Sequence, residues 1–282
     1  MLRELGALTR REFLKLRRNP QAILTALMLP LLYLLLFGQG FNINPAEFVP
    51  NLTAAQKLVI IHEYFRGAPS YYSYFAAGMV GFVTVTATLF LGANVIFDKL
   101  FGIFKRTRGT PAPTSAVFGS RLIAGSTQPI LLAFFVLGLA LLFRHVPGLT
   151  GLEVTASVGV LGALEIIAAI VLVTVMFATL SLTMGVLIEN PQMFFAAVNL
   201  LNLPVLLTSD ALYPWGAMPH WLQTGSQYNP VSLAVNVLRE VLFGSSMYAY
   251  SPGIYLLGLF GWAAVLSGIA LLLIRRALRP LE

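Results

Sequence analysis

Few residues in this chain are able to do chemistry, and their spacing excludes most kinds. None of the 282 residues is cysteine, so there is no thiolate nucleophile, disulfide or Cys-ligated zinc. His62-Glu63-Tyr64-Phe65-Arg66 opens like a zinc-protease helix, but Arg66 stands where the second histidine ligand belongs. His62, His145 and His220 lie in separate segments, so no metal site is expected. No Gly-x-Ser-x-Gly nucleophile elbow occurs. A phosphate-cradling loop needs a Gly-Lys pair, and the four lysines follow Leu14, Gln56, Asp98 and Phe104. The chain is therefore expected to have no catalytic residues, bind no cofactor and hydrolyse no ATP. Four polar features remain. Glu165 is a carboxylate beside a long apolar run, the usual place for a proton relay. Asn199 and Asn202 stand one helical turn apart, with Pro204 close by. Such amides either join helices by hydrogen bonds or line a polar path. Asn229 and Arg239 belong to an amphipathic segment described below. Arg239 reads most simply as exposed or salt-bridged.

The elements that position these groups belong to a membrane. The chain is 57% hydrophobic and 10% charged, against roughly a quarter charged in soluble domains. Its mean hydropathy is +0.81. Spanning helices need about 20 apolar residues. Six segments qualify: 22–40, 72–97, 122–143, 166–188, 193–207 and 254–274. Glu165 falls at the boundary of a 23-residue run (166–188), about 35 Å of helix and already enough to cross.

Charge sets the orientation. Arg3, Arg10, Arg11, Lys15, Arg17 and Arg18 precede the first run. Lys99, Lys105, Arg106, Arg108 and Arg121 follow the second, and Arg275, Arg276 and Arg279 close the last. Basic loops stay cytoplasmic, so both ends are expected inside, with only Lys57, Arg66, Arg144 and Arg239 outside. The net charge of +7 is then explained by an anionic leaflet and not by nucleic acid. Gly38-Gln39-Gly40 is a poor cleavage site, so the first run is expected to be retained.

Three segments have further structure. In residues 1–20, Leu2, Leu5, Leu8, Phe13 and Leu16 share one helical face and the basic residues the other, the pattern of an interfacial helix. The connection 98–118 interleaves basic residues with Leu100, Phe101, Ile103 and Phe104, which a solvated loop does not need. These side chains dip into lipid or dock into a protein. In 209–251, Asn229-Pro230 is a cap with proline at the first helical position, and Val231, Ala234, Val235, Leu238, Val241 and Leu242 follow at helical spacing. Gly244 stops this helix. With the interfacial rings of Tyr213, Trp215, Trp221 and Tyr228, the segment reads as a hairpin of short helices partly re-entering the outer leaflet.

Two of these regions resemble a known family. Gly102-Ile103-Phe104-Lys105-Arg106, Thr110-Pro111 and Gly119-Ser120-Arg121 are similar to the cytoplasmic loop of ABC type-2 exporter permeases. Ser209, Pro214, Pro219-His220-Trp221-Leu222, Asn229-Pro230, Arg239 and Gly244 resemble that family's outer hairpin. Daunorubicin-resistance-type drug permeases are the nearest in pattern, with departures at Gly109 and Ala112-Pro113. The resemblance implies one all-α membrane domain over 1–282, with six spans, both termini inside, an N-terminal interfacial helix and a re-entrant hairpin. It implies a multi-pass permease in the plasma (inner) membrane that pairs with a second permease copy or paralogue and two ATPase subunits, which carry the ATP and Mg. The cargo would be a hydrophobic or amphiphilic drug, antibiotic or lipid. Phe101, Ile103, Phe104, Lys105, Arg106 and Pro111 would couple to the ATPase. Asn199, Asn202, Pro204, Asn229 and Arg239 would line or gate the path. A proton-coupled transporter using Glu165 is the alternative; an intramembrane enzyme or scaffold built on the hairpin is a third.

Overall fold

A computed structural model describes residues 6, 9, 10, 14, 20–41, 53–103, 114–244 and 250–277. Among these, all regular structure is helical. Helix α1 (Pro20–Tyr33) contains Pro30 and passes directly into a π turn, Leu34–Gln39. Helix α2 (Ala54–Tyr64) starts with a capping box: Gln56 N–H donates to Thr53 Oγ1 at 3.4 Å and Thr53 N–H to Gln56 Oε1 at 2.9 Å. Helix α3 (Tyr71–Leu89) is capped by Ser70 and gives way to a 3-10 turn, Phe90–Gly92, before α4 (Ala93–Leu100). Helix α5 (Thr114–Leu142) ends in a second 3-10 turn, Phe143–His145. Helices α6 (Val160–Leu187) and α7 (Pro191–Leu207) follow. A 3-10 turn, Trp215–Ala217, leads to α8 (His220–Tyr228), α9 (Pro230–Phe243) and α10 (Pro252–Ala277).

Among the described residues, four stretches are long and apolar enough to cross a membrane: Tyr71–Leu100, Val117–His145, Val160–Leu187 and Pro252–Ile274. Thr25–Gln39 and Pro191–Leu207 are shorter apolar helices in the same search. All six expected segments therefore carry helix. The interfacial helix expected over 1–20 lies largely outside the described residues.

Helix α3 is the axis of the bundle. Every residue from 71 to 81 is buried, as expected of a helix apolar all round and enclosed by neighbours. It packs against α5, α6 and α9, while α6 packs along α10. The break at Phe90–Gly92 has a tertiary cause. Ser181 of α6 accepts the Gly92 N–H at 2.8 Å and donates to the Leu89 carbonyl, satisfying groups that the turn removes from the helical ladder. The backbones meet so closely here that a Cβ on Gly92 would strike the Ser181 carbonyl, and one on Gly185 the Gly92 carbonyl. The expected span 72–97 lies within the 71–100 stretch, and the turn inside it is held by Ser181, distant in sequence.

Helix α9 has the expected ends. Asn229 Oδ1 accepts the Val231 N–H at 2.8 Å, and Gly244 terminates the helix at φ 63° with its N–H on the Glu240 carbonyl. The side opposite its apolar residues is buried as well. Ser232, Asn236 and Arg239 are as buried as the valines opposite, because α9 is enclosed by α3, α6, α8 and α10.

Candidate functional site

At one end of the bundle, three segments far apart in sequence bring charge into the core. The turn after α2 carries Arg66, itself at φ 49° and followed by Gly67 at φ 86°. The turn after α7 carries Asp210, and α9 carries Arg239. Arg239 and Asp210 are both fully buried, and Arg239 Nη1 lies 3.4 Å from Asp210 Oδ2. The same guanidinium donates to the carbonyls of Asp210 at 3.0 Å, Tyr74 at 3.0 Å and Ala211 at 3.2 Å. Its Cζ sits 3.5 Å from the centre of the Tyr74 ring, a desolvated cation–π contact. Tyr74 Oη in turn donates to the carbonyls of Asp210 at 2.9 Å and Tyr213 at 3.0 Å. Arg66 approaches Asp210 Oδ2 at 3.6 Å and covers the Trp215 ring at 3.6 Å.

Burying a charge is tolerated when pairing and hydrogen bonds replace water. Here the Arg239 guanidinium is paired and hydrogen-bonded, tying α3, the 209–213 turn and α9 into one unit, while the Asp210 carboxylate is held by its ion pairs to Arg239 and Arg66 and accepts no hydrogen bond among the described residues. Arg239 is therefore salt-bridged, as one of the two sequence readings held, and not exposed. Asp210 and Tyr74 were not singled out from the sequence.

Next to this lock, Asn229 joins two helices. Its Nδ2 donates to the Val205 carbonyl at 2.7 Å and to Thr208 Oγ1 at 2.9 Å, closing the end of α7 while its Oδ1 opens α9. Asn199 and Pro204 of α7 are exposed, and Asn202 is half-buried with no hydrogen bond to its Oδ1 among the described residues. Neither amide bonds to another helix within the described chain, so interhelical packing inside one copy does not account for them. Glu165, on the first turns of α6, is close enough to influence Glu240 of α9. Burial pushes the Glu240 carboxyl up to about 7, with the Glu165 carboxylate adding to the shift. His62, His145 and His220 sit on α2, the Phe143–His145 turn and α8.

The opposite end carries the basic connection. The expected loop over 98–118 is helical at both its edges: residues 98–100 complete α4 and Thr114 begins α5. Lys99 is not a free loop cation. Its Nζ donates to the Val186 carbonyl and to the Ile188 carbonyl at 3.0 Å, closing the end of α6. Arg121 pairs with Asp98 at 2.6 Å, fastening α5 to α4. Leu100 and Phe101 are 58% and 72% exposed, and Ile103 is half-buried. Phe104, Lys105, Arg106 and Pro111 lie outside the described residues.

The comparisons with known proteins agree with this layout. The chain is 28% identical over 243 residues to the transport permease ycf38 of Porphyra purpurea, covering 86% of this chain and 74% of that protein. It is 23% identical over 268 residues to the daunorubicin resistance ABC transporter permease protein DrrB1 of Streptomyces coeruleorubidus, covering 94% and 83%. It is also 25% identical over 212 residues to nodulation protein J of Rhizobium meliloti, covering 75% and 76%. The family profile of ABC-2 type transporters matches residues 3–243, from the basic N-terminal segment through α9 and so across both ends of the bundle: the chain belongs to the ABC-2 type transporter family.

Proposed function

We propose that this ABC transporter membrane subunit is an exporter, carrying a hydrophobic or amphiphilic cargo (drug, antibiotic or lipid) outward across the plasma membrane. The observation that carries this reading is the family match over residues 3–243, joined to a sequence without any Gly-Lys phosphate cradle. Energy then has to come from separate ATPase subunits, two per permease dimer, which hold the ATP and Mg.

In this reading α1 and α7 complete six crossings with the four long helices, and both termini are cytoplasmic. The segment from Phe101 to Pro111 docks on the ATPase, through Phe101, Ile103 and Phe104 as apolar anchors and Lys105 and Arg106 as basic rim. Movement imposed there passes to α4. Because Lys99 holds α4 to the end of α6, and Asp98 holds it to α5 through Arg121, the three helices shift together. The Ser181 contact carries the shift into α3, whose far end bears Tyr74 and the Arg239–Asp210 lock. The hairpin of α8 and α9 forms the outer wall and gate, and the exposed face of α7 with Asn199, Asn202 and Pro204 faces the path between two copies. A proton-coupled mechanism based on Glu165 needs no partner ATPase, and the apolar side chains at Leu100 and Phe101 have no role in it.

Purification in mild detergent tests the reading. The permease alone hydrolyses no ATP, and an ABC ATPase co-purifies from native membranes. Recovery of active transport from the permease alone in proteoliposomes, with no ATPase, contradicts it.

A further inference from the structure

A cavity of 530 Å³ lies between α1, α3–α4 and α5, inside a single copy of the chain. Its volume is within the range of sites for drug-sized molecules. Leu29, Phe82, Val83 and Leu132 supply apolar walls, and Thr86, Asn94 and Gln128 supply polar groups. Among the described residues, no ionisable side chain lines it.

Thr86 is the telling residue. Thr84 and Thr88 on the same helix spend their hydroxyls on carbonyls four residues back, Val80 and Thr84, the usual habit of threonine in helices. Thr86 does not: its Oγ1 is buried and has no hydrogen-bond partner among the described residues. Half-buried Gln128 and exposed Asn94 make no side-chain hydrogen bond among the described residues. Two helix prolines, Pro30 and Pro129, also line the cavity. A proline inside a helix frees the carbonyl four residues earlier, which here means Ala26, itself a lining residue, and Gly125. Unsatisfied polar groups in an apolar setting cost free energy until something pairs with them.

We infer that this cavity is a binding site, within one subunit, for an uncharged amphiphile. Its apolar body lies along Phe82, Val83 and Leu132, and its hydroxyl, carbonyl or amide groups pair with Thr86 and Gln128. A charged head finds no counter-ion among the described lining residues. That the ligand is cargo rests on the exporter reading; that it binds does not.

Nile red, a neutral dye with a carbonyl acceptor, is the probe. It is titrated against the purified permease in phosphatidylcholine nanodiscs, without ATPase or nucleotide, so failure of the exporter reading leaves the measurement intact. One saturable site per chain is expected. Thr86→Val and Gln128→Leu each weaken it about tenfold, Ala87→Phe fills the cavity and abolishes it, and Leu272→Ala on the exposed face of α10 leaves it unchanged. Each variant is checked for an unaltered unfolding temperature, and Gln128→Glu, which keeps the side chain's size but adds charge, also loses the dye. A Phe82→Trp sensor in brominated-lipid nanodiscs separates the sources. Quenching relieved by the dye supports an exchangeable amphiphile. Quenching the dye cannot relieve assigns the cavity to bilayer lipid and overturns the inference, as does equal affinity across the Thr86, Gln128 and Ala87 variants.

Discussion

Arg239 and Asp210, 29 residues apart in sequence, form a fully buried ion pair in which Nη1 lies 3.4 Å from Oδ2 and 3.0 Å from the carbonyl of the same aspartate. The guanidinium thus holds both the charge and the backbone of the turn that follows α7. Against the Tyr74 ring it also fixes the start of α3. Removing one partner of such a pair leaves an uncompensated charge in the core, a loss of about 3–5 kcal/mol. Arg239→Ala and Asp210→Asn should each lower the unfolding temperature strongly. Arg239→Lys should fail to rescue, because one ammonium cannot reach three carbonyls in the plane of a guanidinium. A double-mutant cycle on thermal stability measures the coupling; additive losses would show that the pair is not the connection.

Asn229 serves two helices with one side chain. Loss of an N-cap costs about 1 kcal/mol, and the bonds to Val205 and Thr208 add to it. Asn229→Ala should therefore destabilise by more than a simple cap, roughly 2 kcal/mol, while Asn229→Asp should keep the cap and lose the amide donations. Chemical denaturation of the two variants separates the roles. An Asn229→Asp variant as stable as the parent would mean that the contact to α7 contributes nothing, and equal losses that the cap contributes nothing.

The contact of Gly92 with Ser181 and Gly185 leaves no room for a methyl group. Gly92→Ala should destabilise by about 1–3 kcal/mol. Ser181→Ala, which strands the Gly92 N–H, should cost a similar amount by a different route. If this contact also transmits movement from α4 to α3, both variants should retain ATPase binding yet transport slowly. Normal transport by a destabilised but folded Gly92→Ala would remove it from the coupling path.

Glu240 makes stability depend on pH in a definite direction. Its carboxyl is pushed up to about 7 from an ordinary value of 4.5, chiefly by burial and then by Glu165. The folded chain therefore holds a proton that the unfolded chain has released between those values. Stability is highest below pH 4.5, where both states are protonated, and declines as pH rises through 7. Glu240→Gln should flatten that decline, and Glu165→Gln should reduce it. Unfolding temperatures across this range check the sign; a rise in stability toward pH 7 would reverse it.

Much of this fold was legible because local chemistry agreed with the tertiary result. Asn229-Pro230 and Gly244 bracket α9 in the sequence as they do in space, and the long apolar runs became the long helices. The lock was not legible, because its members come from separate segments. The one available signal was that Arg66, Asp210 and Arg239 are isolated charges in apolar surroundings, where a charge must find a partner. The amphipathic spacing of α9 says nothing of what its polar side meets, and Ser232 and Arg239 face a buried turn that no periodicity reveals. The break in α3 depends on Ser181, and the role of Lys99 on the end of α6. Both are long-range hydrogen bonds to backbone, invisible to spacing along the chain.

The apolar connection provides a further check. Phe101 is largely exposed in the single chain, and burying such a side chain on docking stabilises by about 1.5–3 kcal/mol. Phe101→Ala combined with Phe104→Ala should release the ATPase while the permease still inserts, and Arg106→Ala should weaken binding most at low salt, the loss fading as added salt screens the contact. Undiminished co-purification of ATPase with the double variant would locate the dock elsewhere, in the N-terminal segment.

The central claim is ATP-driven export, and transport into inside-out membrane vesicles tests it most directly. With the permease and its ATPase present, a labelled amphiphile should accumulate on addition of hydrolysable ATP. Accumulation should persist when a protonophore collapses the proton gradient, and in Glu165→Gln. Uptake that follows the proton gradient without ATP, and is lost in Glu165→Gln, would contradict the account and identify a secondary transporter.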